Sequence, residues 1–193
     1  NEQTSATYTF SGLTQNVEYT IVVEAKDNAG NTTKGTVKAT TGTVPTASGA
    51  TYTPNTWTKG NVTVTLPTKS GYTTVYTTNG TAPTKDSTKY SAAFTVSGNC
   101  KINYLYTDGT NIGGAGTVNV TNIDKLAPNA FTPKATVTTN SIKVDGTTTD
   151  ATATSTNGSS GIKEYRFSKD GGKTYTNEQT SATYTFSGLT QNV

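Results

Sequence analysis

Glu18-Tyr19-Thr20-Ile21-Val22-Val23-Glu24-Ala25-Lys26 sets Tyr19, Ile21, Val23 and Ala25 on one side of an extended chain and Thr20, Glu24 and Lys26 on the other. Side chains of a strand point alternately to opposite faces, so this period of two predicts a half-buried β-strand. Asp27-Asn28-Ala29-Gly30-Asn31 comes next, built from residues that bond their own backbone or accept positive φ, and predicts a turn into a second strand at Thr36-Val37-Lys38-Ala39-Thr40. Further out, Ser141-Ile142-Lys143-Val144 and Ile162-Lys163-Glu164-Tyr165-Arg166-Phe167 read as strands, as do short runs around Val62/Val64/Leu66, Val75, Phe94/Val96, Ile102/Tyr104/Tyr106 and Val118/Val120. Asn79-Gly80, Ser97-Gly98-Asn99, Asp108-Gly109 and Asp170-Gly171-Gly172 supply turns between them. The fold class is all-β.

Composition agrees. Threonine fills about a quarter of the 193 residues, His and Met are absent, and only 31% of the chain is apolar. Such a chain is poor in helix formers, and alternating strands need an apolar residue at only every second position. The net charge of +3 is spread along the chain and forms no basic stripe, which argues against a nucleic-acid partner. No apolar run approaches the length of a membrane span, so no membrane insertion of this segment is expected. A single Cys among so many Thr and Asn suits an exported protein that does not rely on disulfides.

Residues 177–193, NEQTSATYTFSGLTQNV, repeat residues 1–17 without a change, so each of these residues recurs 176 positions later. Seventeen identical positions do not arise by chance, and a fixed period is the mark of a repeat array. The period is best read as a circle, because SATYTFSGL reads as a strand running into a turn at both ends of the chain. The expected domains are then 1–44, the closing strands of one sandwich; 45–124, a complete sandwich; and 125–193, the opening part of the next copy of the first.

Three phrases resemble known module families. Leu13, a polar turn, and Tyr19 opening a strand that ends in Ala and a Gly-bearing turn resemble the E–F–G end of a fibronectin type III domain. That resemblance implies a tyrosine corner at Tyr19. The tryptophan of that family's second strand is absent, Gly146 standing about where it would fall. Trp57-Thr58-Lys59-Gly60-Asn61-Val62-Thr63-Val64, with Asn122-Ile123-Asp124-Lys125-Leu126-Ala127-Pro128, resembles bacterial immunoglobulin-like repeats of large surface proteins. Tyr76-Thr77-Thr78-Asn79-Gly80-Thr81-Ala82-Pro83-Thr84, with Ser87 and Tyr90, resembles the C-terminal module of chitobiases. Together they imply two immunoglobulin-like β-sandwiches in tandem, the fibronectin-like one split between the chain ends. Members of such families rarely share a function.

Catalytic chemistry is sparse. Without His, the commonest general base and triad member is missing. The acids Asp27, Asp108 and Asp170 sit on turns, and Glu24 and Glu164 on polar strand faces, where capping and solubility account for them. Gly113-Gly114-Ala115-Gly116 joins two strands and opens no helix, so it reads as a hairpin loop and not a phosphate cradle. No catalytic residue, cofactor or metal site is assigned. Calcium at Asp124 or Asp27 would need clustered carboxylates, and these are single. A Lys–Asn isopeptide crosslink, as in some Gram-positive adhesins, would need a buried acid beside the pair. Cys100 falls in register with Ile102 and Tyr104 and reads as a buried thiol, with an intermolecular disulfide as the alternative. Trp57 reads as a lid on a sandwich core, with carbohydrate stacking as the alternative.

The expected function is mechanical: a non-enzymatic structural repeat in the stalk or fibre of a long bacterial surface protein, extracellular and adhesin-like. Glycans of host or bacterial surfaces would be bound by other domains. Two alternatives stand beside it. One is an accessory carbohydrate-binding or spacer module of a secreted polysaccharide-degrading enzyme, using Trp57, Tyr72, Tyr76 and Tyr90; the other is a phage fibre domain. The expected partners are neighbouring copies, head to tail. Tyr19, Ile21 and Val23 of one copy would pack on Ile142, Val144, Tyr165 and Phe167 of the next, giving a filament or a continuous array of heterologous contacts.

Overall fold

A computed structural model describes residues 3–190, and every regular element in that span is a β-strand. In chain order these are β1 Glu18–Lys26, β2 Thr32–Thr40, β3 Thr51–Thr53, β4 Val62–Thr65, β5 Thr73–Thr77 and β6 Thr88–Lys89. They continue with β7 Phe94–Val96, β8 Cys100–Thr107, β9 Gly116–Val120, β10 Lys134–Val137, β11 Ile142–Asp145 and β12 Thr183–Phe186. All their ladders are antiparallel. The sheets are β1-β2, β3-β4-β7, β6-β5-β8-β9 and β10-β11-β12, in the manner of immunoglobulin-like sandwiches.

The chain forms two compact units. The first takes the chain up to Thr53, then Val62–Val96 and Cys100–Val120. Its buried apolar residues are Val62 and Val64 in one sheet and, in the other, Ile102 and Tyr104 on one face with Val75 and Leu105 on the opposite face. Burial of β8 departs from the expected alternation: from Ile102 to Thr107 every residue is buried. The strand lies between β5 and β9, and its polar side chains find partners that permit burial. Asn103 donates to the carbonyls of Gly80 and Thr81 at 2.8 and 3.0 Å and accepts from the Thr117 hydroxyl at 2.8 Å.

The glycines of 113–116 are explained by close approach. The segment Val44–Ala47 runs against them, with the Ala47 amide donating to the Gly114 carbonyl at 2.9 Å. A Cβ on Gly113 would meet the Pro45 carbonyl, on Gly114 the Thr46 side chain, and on Gly116 the Tyr104 ring. Only glycine leaves room for two backbones here. Also in this unit, the hairpin β1-β2 turns at Asp27, whose carboxylate accepts from the amides of Ala29 and Asn31 at 2.9 and 2.8 Å. Gly30 has φ of 93°. β2 starts at Thr32, four residues before the expected strand, because the ladder continues to the pair Lys26–Thr32.

The second unit takes Pro54–Asn61, Ser97–Asn99 and the chain from Thr121 onward. Its first two segments and the residues 121–124 come from the stretch 45–124. Thr58 donates to the Asn122 carbonyl at 3.0 Å and accepts from the Asp124 amide at 2.9 Å, which joins the 54–61 loop to 121–124. The regular part is β10-β11-β12. The segment 162–167, expected as a strand, forms only one bridge, Tyr165 to Gln179. Beyond it the Thr176 hydroxyl takes the Phe167 amide at 3.0 Å, so a side chain replaces the carbonyl that a ladder would use. Residues 7–10 carry no strand, whereas the identical residues 183–186 form β12.

Candidate functional site

The registers sort the side chains of the two lone sheets into faces. In β1-β2, directly opposed residues share a face. The pairs Tyr19–Ala39, Ile21–Val37, Val23–Gly35 and Ala25–Thr33 therefore make one almost wholly apolar surface. The other face carries Glu18, Glu24, Lys34 and Lys38, with ion pairs Lys34–Glu24 at 3.0 Å and Lys38–Glu18 at 2.9 Å. The apolar surface is open. Tyr19 and Ile21 are half-buried and Val23 is 61% exposed, so the half-buried strand expected from the sequence has no core over most of its length here.

In β10-β11-β12 the same logic groups Ala135, Val137, Ile142, Val144, Tyr184 and Phe186 on one face. Lys134, Thr136, Lys143, Asp145, Thr183 and Thr185 take the opposite one. Phe167, 8% exposed, stacks on Tyr184 with centroids 5.5 Å apart, and Tyr184 meets Phe186 edge-on at 4.9 Å. Beside these rings runs an open groove of about 300 Å³ lined by Phe167, Tyr184, Phe186 and the polar Thr174 and Thr176. Gly146 lies where a family tryptophan was looked for; the rings of Phe131 and Phe167 stand 3.5 and 3.8 Å from a Cβ placed on it. Val137 is 68% exposed.

The remaining sequence-chosen residues fall as follows. The Tyr19 hydroxyl accepts from the Thr14 amide at 3.1 Å, a bond from the strand back to the turn before it, and Leu13 is half-buried beside that turn. Leu13 and its neighbour are also held by a contact sequence reading missed. Asn111 donates to the Leu13 carbonyl at 2.9 Å and accepts from the Gln15 amide at 3.0 Å, while the Gln15 side chain bonds Ile112 and Val44. The bonds of Asn111 and Ile112 span 96 to 98 positions of the chain, and no local pattern marks them.

Trp57 is half exposed and its ring lies against Gly158, which leaves no space for a Cβ. Cys100 is partly buried at the start of β8, and burial pushes its thiol pKa up, the protonated and less reactive state. Tyr76 stacks on Phe94 at 4.6 Å with Tyr90 edge-on to both, and Tyr72 lies 6.4 Å from Tyr106. Those tyrosines pair with one another across strands and do not line up as an exposed row.

The acids hold turns. Asp27 has a lowered pKa through the Asn31 side chain and amide, and Asp108 through the Asn111 amide and then its side chain. Asp124 is lowered chiefly by Ser160, whose amide donates to it at 2.9 Å, and its other oxygen takes the Leu126 amide. Among the described residues no group of three or more Cys, Asp or Glu is placed to hold a metal ion. A Lys–Asn contact exists at Lys125 and Asn61, 3.4 Å apart, but both side chains are exposed, unlike the enclosed pair that isopeptide condensation requires. No helix of the described residues is long and apolar enough to cross a membrane.

Residues 53–118 match the family model of the chitobiase/beta-hexosaminidase C-terminal domain. The match spans most of β3 to β9, the sandwich whose Tyr76–Thr84 phrase resembles that module, and the family is a non-catalytic domain of carbohydrate-active enzymes. Comparison with curated proteins finds no significant match.

Proposed function

We propose that this chain is one period of a long, extracellular, non-catalytic array in which sandwich modules act as spacers, as in the stalk of a surface adhesin. The observation that carries this reading is the repeated segment 1–17 and 177–193 taken with its two settings. Its second copy supplies β12 to one sheet with an apolar face, and its first copy leads directly into a hairpin with another. In an array those two faces belong to consecutive parts of one polypeptide, and each would cover the other. Neighbouring copies are thus the partners, and the surface they use is Tyr19, Ile21 and Val23 against Ile142, Val144, Tyr165 and Phe167. Electron microscopy of a protein carrying several periods tests it. Evenly spaced beads along a thread are expected, and a single compact globule would sink the proposal.

A second reading is favoured by the family match: an accessory module of a secreted polysaccharide-degrading enzyme. Half-exposed Trp57 is its best sugar-stacking residue. Calorimetry with chitin oligomers and other soluble glycans decides it, since binding lost in Trp57→Ala supports a lectin role and no binding by the folded chain removes it.

A further inference from the structure

We infer that the stretch from Val44 to Lys125 is a tension-bearing clamp, its entering and leaving segments lying side by side in the same direction so that a pull along the chain shears their hydrogen bonds together. This rests on the array reading, which supplies the tension, and adds how the load is held.

In the second unit Thr58 and Ile123 form a parallel bridge, with the Thr58 amide donating to the Asn122 carbonyl at 3.0 Å and the Asp124 amide to the Thr58 carbonyl at 2.9 Å. Before that bridge the Asn122 side chain donates to the carbonyls of Pro54 and Thr56 at 3.0 and 2.5 Å, and after it Lys125 donates to Asn61 at 3.4 Å. Residues 54–61 thus advance together with residues 122–125. The first unit holds a pair of the same sense. A Cβ on Gly113 would meet Pro45, one on Gly114 Thr46 and one on Gly116 Ala47, and the Ala47 amide donates to the Gly114 carbonyl at 2.9 Å.

Tension entering ahead of Val44 draws 44–47 and 54–58 back toward the start of the chain, while tension leaving after Lys125 draws 113–116 and 122–125 forward. Bonds between strands cross the gap from one backbone to the other, so partners running the same way slide lengthwise and load all of them at once. The β1-β2 hairpin is the contrast: Glu18 faces Thr40 at its mouth, and the same pull opens its ladder one pair at a time. The clamp is also dry. Asn122, Ile123 and Asp124 are 7%, 0% and 9% exposed, which strengthens their bonds and keeps water from replacing them as they stretch. Asp124 is fixed in turn by the amides of Ser160 and Leu126, at 2.9 and 3.1 Å.

The test pulls the 193-residue protein in an optical trap through two pairs of attachment cysteines, each in a Cys100→Ser background. Thr43→Cys with Ala127→Cys loads the clamp, whereas Lys85→Cys with Thr110→Cys leaves its segments outside the loaded stretch; all four positions are exposed. Forced unfolding reads the barrier to rupture, and the first pair is expected to give way at about twice the force of the second. Asn122→Ala should lower the force in the first direction and leave the second unchanged. Equal forces in the two directions, or an equal fall in both on Asn122→Ala, overturn the clamp; where that variant does not fold, the comparison of directions in the parent decides. Electron microscopy of several periods separates this from the array reading. Beads along a thread without directional strength sink the clamp alone, and directional strength in a chain whose periods collapse into one globule keeps the clamp while the array falls.

Discussion

The same residues fold differently at 3–10 and at 179–186. Both copies make the glutamine bonds to two carbonyls, the serine–threonine hydroxyl contact at 3.2 Å and the edge-on tyrosine–phenylalanine pair. Only the second is a strand. Everything the two share is made within eight residues, and what separates them comes from outside the segment: the β11 ladder, the Phe167 ring stacked on Tyr184, and Tyr165, which bridges Gln179 through bonds of 2.7 and 3.0 Å. Local sequence thus sets an extended, pre-shaped segment, and a free sheet edge turns it into a strand.

The sharpest way to break this comparison is to remove what only the second copy has. Phe167→Ala takes away the buried ring that stacks on Tyr184 and should cost about 3–5 kcal/mol, read by urea denaturation. An unchanged midpoint would mean that the ladder alone, without its aromatic floor, holds β12.

Next come paired substitutions of identical residues. At concentrations where the chain is monomeric, Tyr184→Ala is expected to cost about 1–2 kcal/mol and Tyr8→Ala under about 0.5 kcal/mol, because only the first ring has partners beyond its own segment. Equal losses in thermal melts would show that residues 7–10 are paired in the monomer after all. Gln179→Ala should cost about 1 kcal/mol, since its bond to Thr183 is partly buried, and Gln3→Ala a few tenths, its bonds being exposed. Amide exchange at Thr183 and Thr7 reads this directly.

The smallest effect is acid dependence of the turn leading into the second copy. Asp170 accepts from the hydroxyls of Ser168 and Thr174 and the amides of Lys173 and Thr174, which hold its carboxyl well below the usual range. A depressed folded-state pKa gives stability that is full above the unfolded value near 4 and fades as pH falls below it. Asp170→Asn should therefore lower the urea midpoint at pH 7 and differ less from the parent at pH 2. The group is exposed, so solvent screening keeps the difference small.

Much of this was legible in the chain. The alternation of residues 18–26 gave a strand with those bounds, and Asn79-Gly80 and Asp108-Gly109 gave turns with positive φ at both glycines. The Tyr19 hydroxyl bond reaches only five residues back and could be anticipated from a family resemblance. Three things could not be read. The 162–167 segment looks as much a strand as 141–144 does, but Thr176 occupies the bond its ladder would use. Ile102, Tyr104 and Tyr106 read as the one buried face of their strand, yet residues 102–107 are buried throughout, because Leu105 shares the other face and Asn103 finds partners there in a distant loop. The partner of the Trp57 ring, Gly158, lies a hundred residues along the chain and is marked by no local pattern.

By itself the sequence determined which segments are extended, which face of each is apolar, and that the period closes on itself after 176 residues, since periodicity and turn chemistry act over a few neighbours. Only tertiary structure decided which copy of the repeated segment becomes a strand and which apolar faces stay open. A β-strand is completed by hydrogen bonds to another part of the chain, and no reading of its own residues says whether that edge is free.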